Sequence, residues 1–465
     1  MVDRLSRTDL AFLAEPPTAP RHNATLGVFS PGEAGFDHEQ LLALVADRLA
    51  FVPRYRQRVQ SVPGRLANPV WVDDDDFDLS YHVRRSALPR PGSMAQLREL
   101  VARIMSRRLD PTRPLWELYL VEGLEGGRFA LLSKSHQVLV DGVVTVDLAQ
   151  VLLDEEPMAH ATVHEEWRPR RTPGPSALVV DAVGASVRDP RIAVNSVRAN
   201  AEGLLRAVTG AGRVGARAVP ESPFHAALSQ QRRFVTVATR LDDYRAIRKA
   251  HGGTVNDVVL ATLTGAMRAW LMTRAESVHS GRSVRAMVPL SVIDSDLEPT
   301  SLGSQVTGQL LNLPVGEPSP VVRLHQVSYA LKAHRETGRA VAADRIADVA
   351  GFAASTFHVL GSRVADQQLR RGFQVLVTNV PGAQSPLYAV GARMLESYPV
   401  QPLLPGHALA VGVTSYDAGV YFGITADRDA VPDVDVLGQC VEESLEELLD
   451  TVSSARRGAP RGRRS

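Results

Sequence analysis

One segment constrains the fold of this chain more than any other. Residues 128–133 are short and largely apolar, which predicts a strand. They lead into Lys-Ser-His-Gln-Val-Leu-Val-Asp-Gly at residues 134–142, after which apolar residues recur at the spacing of one helix face as far as Leu152. Aspartate is favoured immediately before a helix, so Asp141 is the predicted cap. The segment therefore predicts a strand-to-helix junction that carries a histidine, a glutamine and an aspartate.

The neighbouring residues His136 and Gln137 differ in what chemistry they can do. Activating a hydroxyl group as a nucleophile needs a base with a pKa near neutrality, which histidine provides and glutamine does not. Neighbouring side chains of a strand point to opposite faces, so we expect His136 to point away from Gln137. If this segment is catalytic, we expect His136 to supply the base, directly or through a water held by Gln137. The alternative is a core histidine beside a helix cap.

Six further sequence blocks accompany this segment, and each is weak when taken alone. They are Pro53–Arg58 with Trp71–Asp73, Pro114–Leu118, Asn256–Ala261, Val288–Ser291 with Leu302 and Gly303, Asn379–Gly382, and Ser415–Asp417. In this order the seven blocks resemble the wax ester synthase/diacylglycerol acyltransferase family, from near the amino terminus to about residue 450. This sequence departs from the family pattern at Gln137, where the family has the second histidine of its His-His-x-x-x-Asp-Gly motif. It also has Ser304 where the family usually has asparagine.

The resemblance implies an α/β (α+β) fold of two chloramphenicol acetyltransferase-like subdomains with a tunnel between them. It also implies an acyl-CoA-dependent O-acyltransferase that makes triacylglycerol from diacylglycerol, wax ester from a fatty alcohol, or both. Acyl-CoA is then a substrate, and neither a cofactor nor a metal is expected. The implied catalytic residues are His136, Gln137 and Asp141, with Asp141 holding the turn in shape. The implied substrate-binding residues are Gly142, Asn256, Asp257, Asn379, Pro381 and Gly382.

Two other functions remain open because the family's second histidine is replaced by Gln137. The chain is then a catalytically weak or silent protein that binds acyl lipids, or a condensation-type enzyme that acts on carrier-bound acyl groups. The first alternative is favoured by Gln137 and opposed by the six other blocks, since loss of function is expected to erode several blocks together. The second alternative is opposed by the lack of a fused carrier domain in this sequence.

Prolines divide the chain. An N-terminal subdomain is predicted over residues 1–157, a helical and proline-rich connection over 158–223, a C-terminal subdomain over 224–454, and a basic disordered tail over 455–465. The predicted helices are 40–52, 94–108, 242–250, 256–273 and 434–452, with Asn256 as a candidate helix cap. The predicted strands are 71–83, around an acidic turn at 73–76, and 234–241, 285–291, 374–378 and 409–414.

Composition limits the partners and the location. The 52 basic and 51 acidic residues give a formal charge of +1, which opposes nucleic-acid binding. Cys440 is the single cysteine, so an internal disulfide is excluded. The amino terminus lacks the apolar core of a signal peptide, and no run of 18 apolar residues occurs. We therefore expect a cytoplasmic protein that contacts the inner membrane face or lipid inclusions peripherally, aided by the basic tail. The sequence leaves the oligomeric state open.

Two patterns in the connection are weak candidates for other sites. His160 and His164 precede two glutamates, but a zinc-binding helix carries its glutamate between the histidines, so a surface loop is favoured. The glycines at 210, 212 and 215 match a dinucleotide-binding spacing, yet they follow a helix-like run and not a strand.

Overall fold

The structure, a computed structural model, describes residues 3–32, 35–140, 146–157, 167–188, 222–291, 306–334, 354–367 and 372–458. Its strands are β1 (His22–Ser30), β2 (Gln57–Gln60), β3 (Val70–Asp73), β4 (Val83–Ala87), β5 (Trp116–Glu122), β6 (Phe129–His136), β7 (Arg232–Arg240), β8 (Val284–Ser291), β9 (Val306–Leu313), β10 (Val375–Pro381), β11 (Tyr388–Ala389), β12 (Ala392–Val400), β13 (Leu409–Tyr416) and β14 (Gly419–Asp427). Its helices are α1 (Arg7–Leu13), α2 (His38–Arg48), α3 (Leu79–His82), α4 (Met94–Met105), α5 (Leu148–Val151), α6 (Pro175–Arg188), α7 (Leu241–His251), α8 (Val255–Thr273), α9 (Pro320–His334), α10 (Ala354–Gln367) and α11 (Val434–Gly458).

Two six-stranded sheets carry the fold. The first has the order β11-β12-β1-β6-β5-β4, and the second has the order β7-β14-β13-β10-β8-β9; β2 and β3 form a separate pair. Every residue of β6 and of β14 is buried, which fits central strands covered on both faces. Each sheet packs against its own helices around a large apolar core. A mixed α/β fold with two comparable halves was predicted from the sequence.

One strand crosses between the halves. β12 follows β10 in the chain, yet it pairs antiparallel with β1 of the first sheet over residues 393–400. Its Pro399 lies over Gly412 and Gly423 of the second sheet, and a Cβ atom at Gly423 would overlap the carbonyl oxygen of Pro399. A side chain at this point would therefore push the crossing strand away from the sheet. The subdomain boundaries predicted at residues 157 and 224 do not account for a strand of the C-terminal half that joins the first sheet.

Most predicted elements match the structure within a few residues, including the helices α2, α4, α7, α8 and α11 and the strands β6, β7, β8, β10 and β13. The predicted strand over 71–83 is wrong. β3 ends at Asp73, the acidic turn follows, and α3 precedes β4. The alternating apolar residues here belong to three short elements in succession, so their spacing does not indicate a single strand.

Three boundary predictions also need correction. The helix that contains Leu148 begins at that residue, with Asp147 and not Asp141 before its first turn. Thr254 and not Asn256 caps α8, because its hydroxyl accepts from the backbone N–H of Asp257 at 3.2 Å. The helix α11 continues to Gly458, four residues into the predicted tail. The histidines and glycines of the two weak patterns, at 160–164 and 210–215, lie outside the described residues.

Candidate active site

The candidate site lies where β6 ends. β1 runs antiparallel to β6, with His22 opposite His136 and Asn23 opposite Ser135. The side chains therefore separate by face: Lys134 and His136 lie with His22 on one side, and Ser135 and Gln137 lie with Asn23 on the other. Contacts confirm the prediction that His136 and Gln137 point apart, because the two side chains have different partners. We call these sides the charged face and the amide face of β6.

On the charged face, His136 is held by two contacts. Its Nε2 lies 3.3 Å from Oε2 of Glu15, and its Nδ1 accepts from the backbone N–H of Val138 at 3.1 Å. An Nδ1 that accepts a hydrogen bond carries no proton, so the proton of the neutral ring is on Nε2, directed to Glu15. Both nitrogens are thereby engaged. This geometry opposes the predicted role of His136 as a general base, because no lone pair is left to receive a proton.

Glu15 is the centre of the charged face. Burial acts to raise the pKa of Glu15, but the hydrogen bonds from His136 and from the backbone N–H of Arg21 outweigh it, so the pKa is lowered. Arg108 also donates to Glu15, at 3.0 Å. The ligand atoms of Glu15, His22 and His136 lie within 4.8 Å of one another, the spacing of a metal site. However, Arg108 already occupies the carboxylate.

The charge around this cluster is positive. Lys134 is fully buried and donates to the backbone carbonyls of Ile104 and Arg107, at 3.0 and 2.6 Å. Burial lowers the pKa of Lys134 to about 8. Burial and the charge of Lys134 hold the pKa of His22 well below its usual range. His22 is therefore neutral, and neither of its ring nitrogens has a hydrogen-bond partner among the described residues.

On the amide face, a buried hydrogen-bond network fixes the orientation of Gln137. Ser362 donates to the carbonyl of His358 at 2.7 Å, so its oxygen accepts from Nδ2 of Asn23 at 2.8 Å. Oδ1 of Asn23 then accepts from Nε2 of Gln137 at 3.1 Å. Gln137 is fully buried, and its Oε1 has no hydrogen-bond partner among the described residues. The site thus presents one amide oxygen that is free to accept a hydrogen bond.

The network continues into the C-terminal half of the chain. Oε1 of Gln401 accepts from Asn23 at 3.1 Å, and its Nε2 donates to Thr378 at 3.1 Å. The hydroxyl of Thr378 lies 2.7 Å from Nδ1 of His358. Burial lowers the pKa of His358 to about 3, so its ring is neutral near pH 7. The amide face is therefore uncharged here and is built from both halves of the molecule.

Arg363 of α10 fastens the turn that follows β6. Its Nη1 donates to the carbonyls of Gln137 and Val140 at 2.8 and 2.7 Å, and its Nη2 donates to Asp9 of α1 at 2.9 Å. Asp141 and Gly142 lie outside the described residues, so their roles stay predictions. The buried guanidinium donates to two carbonyls and one carboxylate, and these hydrogen bonds hold the backbone at Gln137 in place.

Asp147 is the titratable carboxyl at the edge of the amide face. It is fully buried and accepts from the hydroxyls of Tyr55 and Ser135, at 3.2 and 3.3 Å. Burial raises the pKa of Asp147 to about 6, against hydrogen bonds from Tyr55, Ser135 and Ser355 that lower it. Since Ser355 belongs to α10, this carboxyl also joins the two halves.

The remaining predicted site residues form a second group in the C-terminal half. Asn379 of β10 donates to Oδ1 of Asn256 at 2.7 Å, so two distant sequence blocks meet. Asp257 is fully buried and accepts from the backbone N–H of Thr254 at 3.0 Å and from Ser328 at 2.7 Å, so it is engaged within the protein. Gly382 follows Pro381 at the end of β10 and donates to the carbonyl of Ser415 at 2.9 Å, where a Cβ atom would clash.

Sequence reasoning missed most of the residues that surround His136 and Gln137. These are Glu15, His22, Asn23, His358, Ser362, Arg363, Thr378 and Gln401. The one signal available was the polar pair His22 and Asn23 at the start of the apolar strand β1. The others stand far from β6 in the chain, and no local pattern marks them.

Comparison with known proteins agrees with this architecture. The family model of the wax ester synthase/diacylglycerol acyltransferase catalytic domain matches residues 5–259, and the model of the C-terminal domain of the same family matches residues 302–449. A probable diacylglycerol O-acyltransferase of Mycobacterium tuberculosis, tgs3, is 44% identical over 260 residues, which are 53% of this chain and 96% of the relative. Another from the same organism, tgs1, is 33% identical over 424 residues, covering 89% of this chain and 88% of the relative.

Solved structures give the same result. The wax ester synthase/diacylglycerol acyltransferase of Marinobacter aquaeolei VT8 matches with a TM-score of 0.69 at 26% identity, over 97% of this chain and all of that chain. The first condensation domain of the CDA synthetase matches with a TM-score of 0.56 at 17% identity over 97% of both chains, which shows a shared fold. The predicted fold class is confirmed, and the tunnel stays a prediction. This chain belongs to the wax ester synthase/diacylglycerol acyltransferase family.

Proposed function

We propose that this protein transfers the acyl group of an acyl-CoA to the hydroxyl of a diacylglycerol or a fatty alcohol. The observation that carries the proposal is the free Oε1 of Gln137, a buried hydrogen-bond acceptor held in place by residues of both halves. The similarity to proteins named diacylglycerol O-acyltransferase and wax ester synthase supports this substrate class. A hydroxyl group is the donor that such an oxygen needs.

Gln137 acts by position and not by taking a proton. Its Oε1 accepts the hydrogen bond of the substrate hydroxyl and directs the hydroxyl oxygen at the thioester carbon. The new C–O bond forms as the C–S bond breaks, and the hydroxyl proton ends on the sulfur of coenzyme A. Correct placement of two reactants lowers the barrier without a base. The reaction is then slower than in a site with a histidine at this position, because base catalysis adds about 10²- to 10⁴-fold.

His136 is a positioning residue in this mechanism. Its ring links Glu15 to the backbone of Val138, which fixes the turn immediately after Gln137. Asp141 and Gly142 complete the same turn in the proposal. The paired amides Asn256 and Asn379, with Asp257 behind them and Pro381 and Gly382 at the strand end, shape the path of the substrates in the C-terminal half.

The test measures release of coenzyme A from palmitoyl-CoA by the purified protein, with and without diolein or hexadecanol. Release that depends on the acceptor and yields a neutral ester is expected, with loss of about ten-fold or more in Gln137→Ala, as a buried hydrogen bond to substrate warrants. Palmitoyl-CoA binding without ester formation would identify a silent acyl-binding protein. Transfer only from a carrier-bound acyl group would identify a condensation-type enzyme.

The substrates imply contact with a lipid surface. No helix among the described residues is long and apolar enough to span a membrane. Because its proposed substrates are lipids, we propose that the protein works at the cytoplasmic membrane face or on lipid inclusions, held in part by the three arginines of residues 459–465. Each arginine near an anionic surface contributes roughly 1 kcal/mol, and salt screens it. Flotation with anionic vesicles should weaken on deletion of 459–465, and salt-insensitive binding equal to that of the full chain would exclude the tail.

A further inference from the structure

A cavity of about 690 Å³ lies between α4 of the N-terminal half and the first residues of β7 in the C-terminal half. Its volume is usual for a small-molecule site. The position is on the seam between the two halves, since Ser106, directly after α4, accepts at 3.1 Å from the backbone N–H of Arg232. The cavity is separate from Gln137 and is not part of any sequence block noted above.

The lining of this cavity is strongly basic. Two carboxylates, Glu99 and Asp435, stand among six arginines: Arg98, Arg103, Arg107, Arg232, Arg233 and Arg428. Asp435 is paired with Arg233 at 2.7 Å, and Arg232 is paired with Asp427 at 3.3 Å. The side chains of Arg98, Arg103 and Arg107 have no ion pair or hydrogen bond in the part of the chain that the structure describes. Six arginines against Glu99, Asp435 and Asp427 leave a surplus of three positive charges, with the three guanidinium groups of Arg98, Arg103 and Arg107 available.

The geometry points to a binding site for the phosphorylated adenosine end of coenzyme A, an inference that rests on the proposed function. Guanidinium groups bind phosphate oxygens through paired, charge-assisted hydrogen bonds. The pyrophosphate and 3′-phosphate of coenzyme A together carry about four negative charges near pH 7. These negative charges are what the three available guanidinium groups can bind.

The cavity is also connected to the catalytic strand. The backbone carbonyl of Arg107 accepts from Nζ of Lys134 at 2.6 Å, so the edge of the cavity is held to β6 three residues before Gln137. Anionic lipid headgroups carry the same phosphate chemistry, and the experiment has to separate the two sources.

The first arm measures binding of adenosine 3′,5′-bisphosphate by calorimetry, without any acyl transfer. Arg103→Glu should raise its Kd by about ten-fold or more, because it replaces an available cation by an anion. Arg248→Glu is the matched control, since Arg248 is an exposed arginine on α7 that does not line the cavity. Its Kd should stay within about two-fold, because salt screens distant charges. Equal bisphosphate binding by Arg103→Glu and wild type would overturn the site, whatever reaction the protein catalyses.

The second arm compares two thioester substrates. Arg103→Glu should raise KM for palmitoyl-CoA by about ten-fold while kcat/KM for the palmitoyl thioester of N-acetylcysteamine, which lacks phosphates, stays within about two-fold. Equal losses with both substrates would mean a general defect and would overturn the inference. Binding to phosphatidylglycerol vesicles that depends on Arg103, with bisphosphate binding that does not, would assign the cavity to lipid headgroups instead. A protein that binds bisphosphate but transfers no acyl group would refute the proposed function and keep the site.

Discussion

The two faces of β6 have opposite electrostatic designs although their side chains alternate along one strand. The charged face joins His136 to Glu15 and is surrounded by Arg108 and the buried Lys134. The amide face holds Gln137 among neutral amides and hydroxyls. On the charged face both ring nitrogens of His136 are engaged, whereas on the amide face Oε1 of Gln137 has no hydrogen-bond partner among the described residues. A titratable residue in a sequence motif is therefore not by itself the reacting group.

The largest expected effect comes from removing the residue on which both faces depend. Arg363→Met leaves the carbonyls of Gln137 and Val140 and the carboxylate of Asp9 without their donor. Breaking a buried charge pair costs about 3 kcal/mol or more in unfolding free energy. Urea unfolding measures this loss, with Arg248→Met as the exposed control. A loss of unfolding free energy below about 1 kcal/mol would show that the turn after β6 is stable without Arg363.

The buried carboxyl of Asp147 at the edge of the amide face can be tested by pH. The pKa of Asp147 is raised from 3.8 to about 6, so the folded state binds its proton more tightly than the unfolded chain does. This contribution to stability is present at low pH and is lost as the pH rises through 6. Asp147→Asn lacks it, so the wild type should lose about 2 kcal/mol relative to the variant between pH 4 and pH 7. Parallel pH curves for the two proteins in urea unfolding would contradict this assignment.

A histidine on the amide face would combine the properties of both faces. Gln137→His places a base where the free acceptor lies, and we expect the rate of ester formation to rise by roughly ten-fold or more. The pH–rate profile should gain a limb near the pKa of histidine. A fall in turnover would mean that the network of Asn23 and Gln401 accepts only an amide at this position.

The smallest effect is expected on the charged face. His136→Ala removes a link between Glu15 and the turn but no proton acceptor, so the rate should fall by less than about ten-fold and the pH–rate profile should keep its shape. His136→Gln, which keeps a hydrogen-bonding side chain, should recover part of the loss. A drop of about 10²-fold or more with loss of a pH limb would restore His136 as the general base.

The sequence alone determined the elements, their order and the family. Helical spacing in residues 94–105 and 434–452 and the apolar run of β6 are local patterns, and local backbone geometry fixes their meaning. The opposite directions of His136 and Gln137 followed from the same geometry. Asn256 and Asn379 were both predicted as substrate-binding residues, but the hydrogen bond between them was not predicted.

Only the tertiary structure decided what surrounds those residues. The hydrogen bond between Asn23 and Ser362 joins positions 339 apart in the chain, and β12 joins the first sheet after the chain has entered the second. Such contacts depend on how packed layers meet, and packing leaves no period in the sequence. Packing also determines which buried polar groups find hydrogen-bond partners. Oε1 of Gln137 has none among the described residues, whereas both ring nitrogens of His136 are engaged.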